Sequence, residues 1–334
     1  MSKKDKLKRN EKKSNYIGNT RKYAIISGLI SYICVGMIYA WSNFVDPMEE
    51  SGFSRTETST AFTISMIAFG VCCLLGGWMT KKYGSSITIR LGAFLMLVGM
   101  WSTSKATDAS LLYATYGVIT SMGYGITYTA IMSAVQSWFP DKVGFVSGLL
   151  LTGYGLGGTI WGAIAVKLIS EYSWRTSFAV ISISIGVILL LTSRFIVEAD
   201  TDDELKLQAY LAERASDKAG SNTDSAEAKL TVKVNKQAKL NQEQAIEVNL
   251  KDMLKRKSFW MYFAWACLIS ALWSGTVSKA AVFALDIGAT VSIATLTAGL
   301  ITCGNGLGRL IGGYMHDHFE RRHVMLVISM VLLT

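Results

Sequence analysis

The chain has 334 residues, of which 51% are hydrophobic and only 17% charged, with a formal net charge of +9. The apolar residues fall in long blocks rather than at helical or strand periodicity, which excludes an ordinary soluble domain and marks an integral membrane protein. The cations gather in the N-terminal tail, a central linker and short loops, the distribution that membrane orientation requires, so the positive balance does not read as nucleic-acid binding.

Residues 1–22 form a basic tail with nine Lys and Arg (Lys3, Lys4, Lys6, Lys8, Arg9, Lys12, Lys13, Arg21 and Lys22). The positive-inside rule places it in the cytoplasm. The first apolar block is too long for the core of a cleavable signal, and no small-residue cleavage site follows it, so it stays as the first span. A span needs about 20 apolar residues. Eight blocks qualify: 23–45, 58–79, 87–104, 111–137, 143–167, 176–197, 259–281 and 291–315. A ninth begins at Val324, and its residues to Thr334 reach only about 16 Å, roughly half of the hydrocarbon core. The chain thus reads as incomplete at its C-terminal end.

The loops alternate in charge as a multi-pass protein of the plasma membrane requires. Lys81 and Lys82 follow span two, Lys142 follows span four, and Arg321 and Arg322 follow span eight, whereas the loop after span one holds Asp46, Glu49, Glu50 and Glu57 against Arg55. Residues 23–197 form a first six-helix half, 198–258 a polar cytoplasmic linker ending in a short basic helix over 250–257, and 259–334 part of a second half. Cys34, Cys72, Cys73, Cys267 and Cys303 all lie in apolar blocks without the spacing of a disulfide or metal framework. His316, His318 and His323 read as residues of a solvated inner loop. No cofactor or metal is expected, and no nucleophile-and-base pair in the spans suggests an enzyme.

The halves repeat. Gly76-Gly77-Trp78-Met79 returns as Gly312-Gly313-Tyr314-Met315, offset by 236 residues, and the same offset carries Tyr23 onto Phe259. Parallel repeats of this kind build transporters whose substrate site lies between the halves near the midplane. Arg309 is the one charge within 291–315. A central Arg costs roughly 2.5–3.5 kcal/mol on insertion scales, so one that is kept faces a polar cavity or an anion, or else snorkels to the nearby inner end; position leaves both open. Gly153 with Gly157, and Gly158 with Gly162, are small-residue pairs suited to close helix packing.

Several motifs stand in order. Gly77, Lys81 and Gly84 after span two, and Gly313, Asp317 and Arg321 after span eight, resemble the short loop signature of the major facilitator superfamily, although the first copy has Lys81 where the Asp belongs. Tyr128-Thr129-Ala130, then Gln136-Ser137-Trp138-Phe139-Pro140-Asp141-Lys142, then Gly153-Tyr154-Gly155-Leu156-Gly157-Gly158, resemble the oxalate/formate antiporter family, as do Tyr39-Ala40-Trp41-Ser42-Asn43-Phe44 and Asn305-Gly306-Leu307-Gly308-Arg309. Taken alone, the Trp138–Lys142 run reads as an interfacial aromatic anchor with a helix-ending Pro. The resemblance implies an all-α membrane protein of the major facilitator fold, with two six-helix halves and about 8.5 of 12 helices present.

It also implies a secondary transporter of a small carboxylate, such as oxalate, formate, lactate or pyruvate, working by alternating access as a monomer in the lipid bilayer, with a counter-substrate or proton as its partner. Members of this family and the related monocarboxylate porters place a substrate-binding Arg at the point held here by Arg309. Its planar guanidinium suits a carboxylate in a two-pronged fork. The resemblance sets Tyr32 and Tyr39 around the anion, with Tyr124, Tyr128 and Tyr154 as further candidates; packing is the competing role of each. Two rival readings stand beside this one. An exporter of apolar or cationic compounds calls for an acidic residue within the spans, and only Asp46 and Asp286 come near, both at outer ends. An inactive truncated product or a membrane sensor is the other.

Overall fold

The computed structural model describes residues 3–200, 203, 206–208, 210–211, 250–270, 287–288 and 291–333. Among these residues every regular element is a helix. Two compact units are formed, one by Met1–Lys218 with Arg309–Thr334, the other by Ala219–Gly308. Most of the linker expected over 198–258, together with Trp273 and Asp286, lies outside the described residues.

The first unit holds six helical segments long and apolar enough to cross a membrane: Tyr16–Glu50, Arg55–Tyr83, Ser85–Thr103, Ala109–Ser137, Val143–Glu171 and Trp174–Thr192. Each overlaps one of the first six expected spans. Span six stops at Thr192 rather than 197, because the chain leaves the helix to run along the inner ends of its neighbours. Span one is α1 (Lys3–Val35), a 3₁₀ segment (Gly36–Trp41) and α2 (Ser42–Glu50); span two is α3 (Arg55–Tyr83) and span three α4 (Ser85–Thr103). Span four combines α5 (Ala109–Leu112), a π-helical segment (Tyr113–Thr120) and α6 (Ser121–Ser137). Spans five and six are α7 (Val143–Glu171) and α8 (Trp174–Thr192). A helix over Val291–His318 covers the expected eighth span, and one over Arg321–Leu333 contains the start of the ninth.

The helix ends follow from local chemistry. Ser54 and Glu57 form a reciprocal capping box at the start of α3, with Ser54 Oγ accepting from Glu57 N (3.2 Å) and Glu57 Oε2 accepting from Ser54 N (2.8 Å). Asp108 caps α5 and Ser173 caps α8 in the same one-sided way. At the turn between α3 and α4, Gly84 adopts φ +82°, a conformation that side chains with a Cβ rarely adopt.

Lipid supplies no hydrophobic drive between helices, so close packing of small residues holds the bundle. At the crossing of span one with α7, a Cβ on Gly36 would collide with the Tyr154 carbonyl, and one on Gly157 with the Ile33 carbonyl. The two backbones are in contact there. Bulkier side chains fill the outer half, where Trp41 stacks on Tyr116 of the π-helical segment (4.0 Å between centroids) and Phe44 packs on Phe178 (4.3 Å).

At the end of the bundle next to the basic tail Trp138 is buried, and its Nε1 donates to the Val197 carbonyl (2.7 Å). The residue is therefore no interfacial anchor: the segment leaving α8 folds over it, and Ile17, Ala24 and Leu207 complete the cluster. Beside it Arg21 donates to Asp141 (2.6 Å) and lies over the Phe139 ring (4.4 Å). The motif thus ties the inner ends of α1 and α6 together.

In the second unit, Leu250–Lys255 is a short helix where a basic one was expected, and residues 257–270 are helical. Trp260 Nε1 donates to the Leu254 carbonyl (2.8 Å) between them.

Gly157→Ala places a methyl against backbone on both sides and is expected to cost about 1–3 kcal/mol of stability. Gly70→Ala, with nothing within 4 Å, is expected to be neutral or to gain about 0.5–1 kcal/mol. Thermal unfolding of the detergent-purified protein, followed by size-exclusion chromatography, compares them; equal melting temperatures would refute the contact.

Candidate functional site

Four of the five tyrosines singled out from the sequence meet around Tyr154 of α7. Its ring lies 4.9 Å from Tyr39, 5.4 Å from Tyr128 and 6.1 Å from Tyr32, in edge-on arrangements that suit the ring quadrupoles. Tyr32 and Tyr128 are 5.2 Å apart, and Phe69 of α3 closes the far side of Tyr128 at 5.5 Å.

The four are not equivalent. Tyr32 is fully buried, and its hydroxyl donates to the Tyr128 carbonyl (2.9 Å), so it holds span one to α6. Tyr39 is 49% exposed. Seven residues of α-helix would return the chain to nearly the same face, but the 3₁₀ segment from Gly36 advances about 120° per residue rather than about 100°, and this turns Tyr39 away from the buried line of Tyr32. Tyr154 is 6% exposed and Tyr128 half-buried. Among the described residues the hydroxyls of Tyr39, Tyr128 and Tyr154 make no hydrogen bond. Tyr124 differs from all of these: it is fully buried, with its hydroxyl directed at Met100 Sδ of α4 (3.7 Å).

Arg309 approaches this group from the Val291–His318 helix. Its Nη1 donates to the Leu151 carbonyl of α7 (2.6 Å), three residues before Tyr154. The acceptor is a backbone carbonyl, already bonded within its own helix, using its second lone pair. It is reachable because the two helices meet at Gly148, where a Cβ would collide with the Arg309 carbonyl. The half-buried Arg309 side chain therefore points across α7 rather than along its own helix toward water. Sequence reasoning missed Leu151, because a backbone acceptor leaves no mark in the residue type.

The loop residues also take definite places. Asp317 Oδ1 accepts from Gly144 N (2.6 Å) and Oδ2 from Phe145 N (2.7 Å), so one carboxylate caps the first turn of α7, which has no cap of its own. An anion at a helix N-terminus meets unpaired N–H donors and the positive end of the helix dipole. Gly313 makes this possible, since a Cβ there would collide with the Gly144 carbonyl. Lys81 lies in the last turn of α3, Gly77 faces Thr129 of α6, and Gly84 ends α3. A Lys has no acceptor and cannot cap a helix N-terminus as Asp317 does. Arg321 begins the last helix, and its side chain lies outside the described set. His318 stacks on Tyr314 (4.1 Å) and His323 approaches Glu320 (3.5 Å); the three His expected in a loop are helical, His316 and His318 at the end of one helix and His323 at the start of the next.

The arrangement presents one guanidinium and three unbonded phenol hydroxyls against aromatic walls, which is suited to a small anion with an apolar remainder.

Comparison with known proteins agrees with this architecture. The oxalate:formate antiporter of Oxalobacter formigenes is 22% identical over 315 residues, which span 93% of this chain and 67% of the antiporter. Monocarboxylate transporter 12-B of Danio rerio is 30% identical over 131 residues, 39% of this chain and 28% of that protein. Among solved structures, the proton:xylose symporter XylE shares the fold with a TM-score of 0.55 at 13% identity, covering 92% of this chain and 70% of the symporter. The sequence profile of the Major Facilitator Superfamily matches residues 24–334, so this multi-pass membrane chain belongs to that superfamily of transporters.

Proposed function

We propose that the protein is a secondary transporter of a small carboxylate, acting by alternating access in the plasma membrane with its N-terminus in the cytoplasm. The observation that carries this reading is Arg309 bonded to the Leu151 carbonyl of α7, three residues before Tyr154 of the tyrosine group. Among the described residues its charge has a peptide dipole for company and no carboxylate in an ion pair with it. A half-buried cation within a span is costly without a counter-ion, and a substrate anion would relieve that cost. The relatives named for oxalate, formate and monocarboxylates support the substrate class. Of the acidic residues that an exporter of cations would use, Asp46 is exposed near the outer end of span one.

In this reading Arg309 takes the carboxylate in a fork, Tyr39, Tyr128 and Tyr154 offer hydroxyls, and Tyr32 and Tyr124 support them from behind. The cap of Asp317 on α7 belongs to the inner gate: it forms when the two helices meet and is released as they part. A counter-substrate or a proton accompanies the cycle, and the transporter works as a monomer.

Uptake of radiolabelled oxalate, formate, lactate and pyruvate into vesicles carrying the full-length protein tests the assignment. Arg309→Ala is expected to remove saturable uptake, at a cost of about 2–5 kcal/mol in binding. Arg309→Lys should fall in between, because it keeps the charge and loses the fork. Saturable uptake untouched by Arg309→Ala would end the proposal. For the gate, Asp317→Ala should expose the Gly144 and Phe145 amides, seen as faster hydrogen exchange in a peptide covering residues 143–147, with a loss of about 0.5–2 kcal/mol as for other helix caps. Unchanged exchange there would exclude the cap.

A further inference from the structure

The exposed apolar stripe of α4 carries a charge. Ile87 (57% exposed), Leu91 (39%) and Phe94 (60%) recur at the spacing of a single helix face, and Arg90, the one charged residue of α4, stands exposed among them. It lies five residues, about 7.5 Å, from the start of the span, at the end of the bundle next to the basic tail. An Arg is costly in hydrocarbon, but at this depth its side chain is long enough to carry the guanidinium to the level of the headgroups. The stem is fixed on the way. Arg90 Nε donates to Ser193 Oγ at the end of α8 (3.3 Å), and Ser86 Oγ of α4 donates to the Ser193 carbonyl (2.8 Å). The two Nη groups have no protein acceptor among the described residues.

Other cations gather at the same rim. Arg194 follows Ser193 and is exposed, with no side-chain bond among the described residues. The next residue, Phe195 (54% exposed), lies 6.0 Å from the ring of Tyr23 of α1 (57% exposed), and the residue before Tyr23 is the exposed Lys22. The acids described nearby are turned to other partners. Asp141 pairs with Arg21 (2.6 Å) and Asp203 with Lys206 (3.1 Å), Glu198 accepts from Ser133 Oγ (2.9 Å), and Asp200 accepts from Asp203 N (2.8 Å). Among the described residues Arg90, Arg194 and Lys22 therefore have no carboxylate in an ion pair with them.

We propose that this rim is a binding site for an anionic phospholipid, with the headgroup phosphate taken by Arg90 and Arg194, Lys22 at its edge, and an acyl chain along the exposed stripe of α4. Two phosphate oxygens match two parallel guanidinium N–H groups, and the bond of Nε to Ser193 leaves the Nη fork for them. The site opens onto an apolar surface, which suits a phosphate that arrives with acyl chains rather than a soluble one. A zwitterionic lipid brings its own cation into a cluster that already holds like charges, and so gains less.

Native mass spectrometry of the full chain, delipidated in detergent, tests the site with phosphatidylglycerol as the probe. Phosphatidylcholine with the same chains is the zwitterionic comparison, and glycerol 3-phosphate the soluble one. The first phosphatidylglycerol is expected to bind roughly fivefold or more tighter than phosphatidylcholine, and Arg90→Gln and Arg194→Gln should each weaken it roughly fivefold, as the loss of one cation at an anionic headgroup implies. Lys105→Gln, at the opposite end of α4, should leave the affinity within about twofold, since that exposed cation lies outside the rim. Arg194→Gln removes no bond seen in the structure, so its result does not depend on the joint between α4 and α8 surviving the substitution. Equal affinity for the two lipids, or phosphatidylglycerol binding unchanged by Arg194→Gln, overturns the site. Displacement of phosphatidylglycerol by millimolar glycerol 3-phosphate overturns the lipid as its occupant.

Discussion

The site depends on one hydrogen bond, from the Arg309 guanidinium to the Leu151 carbonyl. A cation within an apolar helix needs polar company, and here a second helix gives it a backbone carbonyl. The bond needs the two helices close together, and α7 carries glycines along the stripe that faces Arg309. Gly144, Gly148, Leu151 and Gly155 recur at intervals of four, three and four residues, the spacing of one helix face. Against them run Asp317, Gly313 and Arg309, each four residues apart and in the opposite chain direction. A Cβ on Gly148 would meet the Arg309 carbonyl, and one on Gly313 the Gly144 carbonyl. The seam is therefore made of backbone, and its two charged side chains sit at its ends.

Those ends are complementary in sign. Asp317 takes the amides of the first turn of α7, and Arg309 gives to a carbonyl two turns further on. Each uses a polar group of the α7 backbone rather than a side chain. Eight residues separate the two on their own helix, about 12 Å of rise, which sets the inner gate apart from the tyrosine group while coupling both to one rigid element. Parting of the two helices would break both bonds together. A single motion would then change the inner closure and the setting of the cation, which is what alternating access asks of a gate.

Sequence carried the spans well because their signal is length. It also singled out Arg309 as the one charge in its span. What it hid were partners made of backbone. Tyr32 and Tyr124 look like Tyr128 and Tyr154 on paper, yet one hydroxyl is spent on a carbonyl and the other points at a Met sulfur. Nothing in the residue type foretells this, and apolar periodicity cannot separate lipid-facing from bundle-facing sides when both are apolar. The same blindness covered the 3₁₀ turn after Val35 and the π-helical segment from Tyr113, whose compositions resemble their flanks. The burial of Trp138, against the anchor that its motif suggests when taken alone, was hidden for a different reason. Its cover is the chain leaving α8, more than fifty residues away.

The choice of acceptor for Arg309 has a further consequence. Had the guanidinium been paired with a carboxylate of the protein, a substrate anion would have to compete with a fixed charge, and binding would begin from a neutral site. A carbonyl fixes the orientation of one N–H and leaves the net charge in place. Of five guanidinium donors one is committed to Leu151, so a two-pronged fork can form on others without breaking the existing bond. Substrate would be added to the arrangement rather than exchanged into it. The tyrosines fit this economy: Tyr32 is already spent on structure, whereas Tyr39, Tyr128 and Tyr154 carry hydroxyls with no partner among the described residues. In the proposed reading the group would be ordered before an anion arrived, with little conformational entropy left to lose on binding.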